Sequence, residues 1–267
     1  MRLDTDWGAL TAVDQGTGPL VVLLHPLAQS GQFWRPLIDE LATEFRVIAP
    51  DARGHGASEW DGKPFSVVDL ADDVAQLIGH VGAGPAAVLG MSMGGCTAIA
   101  LAVRHPERVS QLVLADTTAD YGPDKEPAWA ARAETAVSKP RPLQLTFQHD
   151  RWFSPSFLDS DPDEVNRVSR IFLATNSAAH AAASLAMGAF DDSERLREIK
   201  APTLVLVGEE DYATPPSMAE ALRAGIPESA LEVLPRTRHL SLLQNRSVWP
   251  RVVDHLRGAA DPQPETT

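Results

Sequence analysis

The chain has 267 residues, of which 44% are hydrophobic, and its net charge is -13. This length and composition predict one large globular domain with a sizeable core and argue against disorder. The negative charge, and the lack of any cluster among the 23 Lys and Arg residues, argue against nucleic acid as a partner.

No basic start followed by an apolar run opens the sequence, and no window approaches ~18 apolar residues, so we expect neither export nor membrane insertion but a cytoplasmic protein. Cys96 is the single cysteine, which precludes an internal disulfide or a cysteine metal cage. The histidines are not paired at metal-ligand spacing. We therefore expect no metal or other cofactor, and a small molecule as the partner.

Short apolar runs recur along the chain with helix-like stretches between them. The runs are Leu20–Leu24, Arg46–Ala49, Ala86–Leu89, Leu112–Ala115, Thr203–Val207 and Leu231–Leu234. Each is nearly all apolar, which is typical of a parallel strand covered on both faces. Helical spacing is predicted for Val67–Ile78, Thr97–Arg104 and Val248–Leu256. The alternation predicts an α/β fold with a mostly parallel sheet flanked by helices.

The alternation stops at residues 118–190, where Pro-interrupted, Ala-rich and aromatic segments predict several helices with no strand between them. We interpret this segment as an inserted helical cap. The core would then be discontinuous, formed by residues 1–117 and 191–258. The tail, residues 259–267, combines Pro, Gly and acidic residues without periodicity, which predicts a flexible end.

The sequence GMSMG at residues 90–94 matches the pattern G-x-S-x-G, in which a serine nucleophile stands on a sharp turn from a strand to a helix. A predicted strand precedes the motif and a predicted helix follows it. Side chains larger than glycine two residues from Ser92 would collide with neighbouring elements. The pattern therefore predicts that Ser92 is a nucleophile rather than an inert turn residue.

A serine hydroxyl needs a base and a group that orients the base. Asp211 follows the predicted strand at 203–207, and His239 follows the strand at 231–234, which gives the chain order Ser, Asp, His of this kind of hydrolase. Glu209 and Glu210 are near enough to compete, but the spacing from the strand favours Asp211. His25, an alternative base, is more typical of a structural residue at a strand end.

An oxyanion needs two N–H donors. Met93 supplies the first, because it opens the helix after Ser92. The loop HPLAQSGQFW supplies the second, and Leu27 is the predicted donor because Pro26 has no N–H.

Taken together, these segments resemble the α/β-hydrolase family across nearly the whole chain. The segments HPLA, DARGHGAS, GMSMGG, GEEDYATPP and RHLS stand in the order expected of that family. More narrowly, the chain is similar to the 3-oxoadipate enol-lactonases in its acid and histidine segments and in the cap stretch RWFSPSF. The resemblance implies a serine hydrolase of a small ester or lactone that works through an acyl-enzyme, and aromatic catabolism as its setting.

Two segments depart from the enol-lactonase pattern. His25-Pro26 replaces an asparagine-serine pair, and the run 242–244 (LLQ) is less polar than usual. A carbon–carbon bond hydrolase acting on a vinylogous diketone shares the SMGG turn and stays open as an alternative. A slow-turnover ligand sensor that keeps the triad is the other alternative. Dehalogenases and epoxide hydrolases are disfavoured because they place aspartate where this chain has Ser92.

The enol-lactone that the resemblance implies carries a carboxylate, which needs a cation in the pocket because the chain is strongly acidic. The candidate cations of the predicted cap are Arg132 in the segment AWAARAE, Lys139 and Arg141 beside prolines, and Arg151 next to Trp152. We favour Arg132 and Arg151, since a guanidinium can bind a carboxylate through two hydrogen bonds. Trp129 and Trp152 are predicted to form apolar walls beside them.

Overall fold

The apolar runs form a single eight-stranded sheet in the computed structural model, which describes residues 1–258. The predicted flexible tail, 259–267, lies outside the described residues. The strands are β1 (Arg2–Thr5), β2 (Gly8–Gln15), β3 (Leu20–Leu24), β4 (Arg46–Pro50), β5 (Ala86–Met91), β6 (Val109–Ala115), β7 (Thr203–Gly208) and β8 (Ser229–Leu234).

The strand order is β1-β2-β4-β3-β5-β6-β7-β8. In this order, each pair of neighbours from β4–β3 to β7–β8 is parallel. Each predicted run forms one of these strands, so the predicted fold class is confirmed. The strands β1 and β2, which add an antiparallel edge to the sheet, were not predicted. Their residues mix polar and apolar types because only part of each strand is buried.

For β8 the prediction of a strand covered on both faces is wrong. Most of its residues are only partly buried, and Val233 is 42% exposed. The strand ends the sheet and pairs with β7 alone, so the flanking helices cover it incompletely.

Helices flank the sheet and fill the long connection between β6 and β7. They are α1 (Arg35–Leu41), α2 (Val67–Val81), α3 (Met93–Arg104), α4 (Lys125–Ser138), α5 (Arg141–Trp152), α6 (Pro155–Ser160), α7 (Pro162–Ala174), α8 (Ser177–Ala189), α9 (Pro216–Gly225), α10 (Ser241–Gln244) and α11 (Trp249–Leu256). The helix α3 begins at Met93, as the oxyanion prediction requires, although helical spacing was predicted only from Thr97, because Gly94 and Gly95 have low helix propensity. A capping box between Ser66 and Asp69 begins α2.

The hydrophobic core consists of two layers, one on each face of the sheet. Successive residues of a strand contribute to opposite layers, as Val88 and Leu89 do in β5. The helices α2 and α3 cover one face, and α1 and α11 cover the other. This double covering explains why the central strands are nearly all apolar.

The segment predicted to be a cap contains the helices α4–α8, and no strand of the described sheet comes from it. Asp120 and Asp191, at its two ends, form an antiparallel bridge. The division of the chain into core and cap domains stays a prediction, and we use "cap" below for α4–α8. Across residues 1–258, each helix is too short or too polar to span a bilayer.

We predict that Leu101→Ala lowers the free energy of unfolding by about 2–5 kcal/mol, because Leu101 is fully buried in α3 and its loss leaves a cavity. The matched control is Leu143→Ala in α5, whose leucine is 63% exposed. That variant should change stability by about 0.5 kcal/mol or less. Urea unfolding of both variants measures the difference, and equal effects would contradict the assignment of α3 to the core.

Candidate active site

Ser92 occupies the turn between the end of β5 and the start of α3. Its φ of 54° and ψ of -118° place a non-glycine residue in a strained region of backbone space. Two hydrogen bonds hold this conformation: the Ser92 N–H donates to the Ala115 carbonyl at 3.0 Å, and the Thr117 hydroxyl donates to the Ser92 carbonyl at 2.8 Å. The last carbonyl of β6 and the Thr117 side chain just beyond it therefore fix the turn from both sides.

The glycines of the GMSMG motif are required by close backbone contacts. A Cβ atom on Gly90 would clash with the backbone of Gly94, and one on Gly94 would clash with the carbonyl of Leu24. A larger side chain at either position would therefore collide as expected from the sequence. The two glycines allow β3, β5 and α3 to approach one another closely.

The structure brings Ser92, His239 and Asp211 together in one chain of hydrogen bonds. The Ser92 Oγ to His239 Nε2 distance is 2.9 Å, and the His239 Nδ1 to Asp211 Oδ2 distance is 2.8 Å. All three side chains are buried. This is the arrangement in which an imidazole can take a proton from a serine while a carboxylate fixes its tautomer.

The Asp211 carboxylate is held by its own loop as well as by His239. The N–H groups of Ala213 and Thr214 donate to Oδ1 at 2.7 and 3.1 Å, and the Thr214 hydroxyl donates to Oδ2 at 2.8 Å. Burial acts to raise the pKa of Asp211, but His239 and these hydrogen bonds outweigh it and lower the pKa below its usual value. Asp211 is thus held as a carboxylate.

Glu209 and Glu210, the competing acids, are exposed and do not contact His239. His25 is buried and holds the neighbouring backbone. Its Nε2 accepts from the Ala52 N–H at 3.0 Å, so its Nδ1 carries the proton and donates to the Pro26 carbonyl at 2.9 Å. Burial lowers the pKa of His25 to about 4. These contacts favour the structural interpretation of His25.

The predicted oxyanion donors flank Ser92 along the chain and in space. Met93 begins α3, where a helix leaves its first N–H groups without an acceptor. Leu27 lines the same cavity as Ser92, and its N–H has no acceptor among the described residues. The loop turns through Ala28, whose φ of 58° is unusual for a non-glycine residue, and the Thr175 hydroxyl of the cap donates to the Ala28 carbonyl at 2.9 Å.

All four residues predicted to contact substrate line the cavity that contains Ser92 and His239. They are Trp129, Arg132, Arg151 and Trp152. Neither guanidinium makes a hydrogen bond or ion pair with another described residue, and Arg132 lies over the Trp129 ring, with Cζ 4.7 Å from the ring centroid.

Burial, with repulsion from Arg151, lowers the pKa of Arg132 to about 9, which leaves it protonated at neutral pH. Burial likewise lowers the pKa of Arg151.

Several residues of the cavity were not predicted from the sequence. Gln148, Phe172 and His180 of the cap line it together with Pro26 and Ala28. Gln148 lies at helical spacing from Arg151 and Trp152 in α5, and this spacing is the one sequence signal that could have found it. Phe172 and His180 lie on α7 and α8, and no sequence signal links them to Ser92.

Asp116, which was also not predicted, fixes the loops that carry the acid and the base. Its Oδ1 accepts from the Gly208 N–H at 3.0 Å, and its Oδ2 accepts from the Ser241 N–H at 3.0 Å and the Ser241 hydroxyl at 2.7 Å. Burial and repulsion from Asp211 raise its pKa well above the usual value. Asp116 thereby ties the loop after β7 to the loop after β8.

The departures from the enol-lactonase pattern also have structural roles. Gln244 accepts from the Ser154 N–H at 2.8 Å and donates to the Trp152 carbonyl at 3.0 Å, so it connects the loop after His239 to the end of α5. Leu242 and Leu243 are buried beneath this connection.

Within residues 1–258, no group of three or more His, Cys, Asp and Glu side chains is arranged to hold a metal ion.

The fold and the position of Ser92 at the strand-to-helix turn define an α/β hydrolase. A family model described as the alpha/beta hydrolase fold matches residues 19–246, and the chain belongs to that family. The chain is 30% identical over 240 residues to 3-oxoadipate enol-lactonase 2 of Acinetobacter baylyi, with 90% of this chain and 89% of that protein covered. The resemblance to enol-lactonases is therefore confirmed.

Two solved structures extend the comparison. The enol-lactonase from Burkholderia xenovorans LB400 superposes with a TM-score of 0.91 at 28% identity, covering 96% of this chain and 100% of that one. A thermophilic esterase from Thermogutta terrifontis with malate bound has a TM-score of 0.89 at 31% identity, covering 98% and 100%. Nearly the whole chain, including the cap helices, thus has counterparts in these two hydrolases.

We predict that acidification destabilises the folded protein through His25. The folded pKa is about 4 and the ordinary value is 6.5, so between these values the unfolded chain binds a proton that the folded chain does not. The free energy of unfolding should fall as the pH drops from 6.5 towards 4, by up to about 3 kcal/mol, and this contribution should not change further below pH 4. Urea unfolding across this range should show a smaller decrease for His25→Gln than for the parent protein. Titration of the His25 ring near its ordinary pKa in NMR spectra would contradict the prediction.

Proposed function

We propose that the protein hydrolyses a small carboxylated ester or lactone through a serine acyl-enzyme, with 3-oxoadipate enol-lactone as the candidate substrate. One observation carries the proposal: a single cavity contains the Ser92–His239 hydrogen bond and two guanidinium groups that have no anionic partner among the described residues. The first feature provides a nucleophile, and the second provides a site for a negatively charged substrate.

In the first half of the reaction, Ser92 Oγ attacks the substrate carbonyl while its proton passes to His239 Nε2. The carbonyl oxygen becomes an oxyanion that accepts hydrogen bonds from the N–H groups of Leu27 and Met93. As the tetrahedral intermediate collapses, the bond from carbonyl carbon to leaving oxygen breaks, and His239 Nε2 gives its proton to that oxygen. Asp211 holds the imidazole and stabilises its protonated form.

In the second half, His239 takes a proton from a water molecule that attacks the acyl-enzyme. Collapse of the second intermediate releases the carboxylic acid and returns the proton to Ser92 Oγ. If the substrate is an enol-lactone, the leaving group of the first half is an enolate that stays in the same molecule. An enolate is a weak base compared with an ordinary alkoxide, so the ring can open with little proton donation from His239.

The charge of the pocket selects the substrate class. A net charge of -13 repels an anion at long range, so an anionic substrate requires local cations. Burial lowers the pKa of both Arg132 and Arg151, and repulsion from Arg151 lowers that of Arg132 further. A substrate carboxylate would relieve this repulsion and accept hydrogen bonds in return. Trp129 and Trp152 would enclose the apolar part of the substrate.

The relatives support this choice. The protein from Acinetobacter baylyi is named as a 3-oxoadipate enol-lactonase, and the esterase from Thermogutta terrifontis was solved with malate, a dicarboxylate, bound. We infer that this chain acts on a substrate of the same chemical class.

We predict that Ser92→Ala lowers kcat by roughly four orders of magnitude or more, because the nucleophile, base and acid act as a unit. Turnover of p-nitrophenyl valerate measures the loss, and mass spectrometry after treatment with a fluorophosphonate locates the reactive serine. Ser247→Ala, which changes an exposed serine, is the matched control and should keep full activity and labelling. Near-normal turnover by Ser92→Ala would contradict the assignment of the nucleophile.

The same assays distinguish the alternative functions. Cleavage of vinylogous diketones by a protein that ignores lactones would replace the proposal with a carbon–carbon bond hydrolase. Labelling by the fluorophosphonate without multiple turnovers of any ester would indicate a slow ligand sensor.

We predict that Arg132→Met and Arg151→Met each raise KM about 10-fold or more for mono-p-nitrophenyl glutarate, the scale of one lost charge-assisted hydrogen bond. The uncharged p-nitrophenyl valerate has an acyl chain of the same length, and its KM should stay nearly unchanged. Methionine keeps the apolar stem of each arginine. Arg170→Met, which removes an exposed arginine from α7, controls for the change in total charge. Equal effects on both esters would mean that the two arginines only support the packing of the cap.

A further inference from the structure

His180 lies in the first turns of the cap helix α8, and its buried ring lines the cavity that contains Ser92 and His239. The same ring also lines a neighbouring cavity between the cap helices, together with Arg132 and Gln148. His180 therefore stands where the catalytic cavity continues into the cap. A substituent of a substrate bound at Ser92 would pass this ring if it extended in that direction.

Arg141 determines the protonation of the His180 ring. Its Nη1 lies 2.7 Å from His180 Nδ1. A guanidinium can only donate hydrogen bonds, so Nδ1 must be the acceptor and the proton of the neutral ring must be on Nε2. The Arg141 guanidinium is itself fixed, because it donates to the Phe172 carbonyl and lies over the Phe172 ring at 3.8 Å.

The environment of His180 keeps this ring neutral. Burial lowers its pKa well below the ordinary value, and repulsion from Arg141, His55 and Arg132 lowers it further. Its Nε2 has no hydrogen-bond partner among residues 1–258. The ring lines the cavity, so this N–H is available to a ligand that supplies an acceptor.

Resting on the proposed function, we infer that His180 is a specificity-determining residue that donates its Nε2–H to the substrate carboxylate beside Arg132. Both residues line the same two cavities, and the charge of Arg132 acts on the His180 ring. The guanidinium supplies charge. The neutral imidazole supplies a donor in a fixed direction without adding a further positive charge to a site that already contains Arg132 and Arg151.

The first test examines the tautomer and requires no catalysis. Long-range proton–nitrogen NMR correlations on the protein labelled with nitrogen-15 should show His180 protonated at Nε2 only. Addition of glutarate should shift this Nε2 resonance, while n-butanol, which has no carboxylate, should not shift it. A proton on Nδ1, or no shift with saturating glutarate, would overturn the inference even if the protein hydrolyses esters.

The second test uses the ester pair defined above. We predict that His180→Leu raises KM for mono-p-nitrophenyl glutarate about 10-fold more than it raises KM for p-nitrophenyl valerate, as expected for a lost hydrogen bond to a charged acceptor. His180→Gln keeps a donor and should restore part of the loss. His80→Leu, at an exposed position of α2, is the matched control. Equal effects of His180→Leu on the two esters would show that the ring serves packing alone.

Arg141→Met provides a third measurement, because it removes the donor to Nδ1. The NMR spectrum of this variant should show a mixture of both His180 tautomers, and KM should rise for the glutarate ester. An unchanged Nε2–H tautomer in this variant would overturn the role of Arg141. If neither ester is hydrolysed by the parent protein while the tautomer and the glutarate shift are as expected, the proposed function fails and the His180 site stands.

Discussion

The strained backbone of Ser92 is the constraint on which the rest of the site depends. A non-glycine residue in such a conformation costs of order 1–3 kcal/mol, and it persists only where the surrounding structure determines it. Here β5 ends and α3 begins within one residue, and hydrogen bonds to Ala115 and from Thr117 fix both sides of the turn. The buried sheet and α3, which is buried from Met93 to Val103, offset the strain. Their packing directs the hydroxyl towards His239.

The acid and the base reach Ser92 from loops that are far apart in sequence, and Asp116 relates their positions. It lies one residue beyond β6, between the strands that lead to the nucleophile and to the acid. Its carboxylate accepts from Gly208, three residues before Asp211, and from Ser241, two residues after His239. The distances within the site therefore depend on one buried acid that takes no part in the proposed chemistry. Parallel strands make this possible because their carboxyl ends meet at the same edge of the sheet.

Sequence reasoning found those parts of the molecule that local pattern determines. The central strands are continuous apolar runs, and the turn at Ser92 has a glycine signature, so both were predictable. The antiparallel strands β1 and β2 were missed because partial burial leaves a mixed composition. Arg132 and Arg151 were predicted from the carboxylated substrate that the resemblance implies and from the acidic charge of the chain, and they line the cavity. Asp116 and His180 were not predicted, because their significance arises from contacts with residues distant in the chain, and periodicity carries no information about such contacts.

The hydrogen bonds between the end of α5 and the loop around His239 join the cap to the loop that carries the proposed base. Arg238 donates to the carbonyl and carboxylate of Asp150, and Gln244 bonds to the backbone of Trp152 and Ser154. A movement of this end of the cap would break these bonds and release the loop that holds His239, the proposed proton acceptor for Ser92. A substrate that entered by this route would meet an inactive enzyme until the cap closed. The same few hydrogen bonds would then govern both the closure of the cap and the reactivity of Ser92.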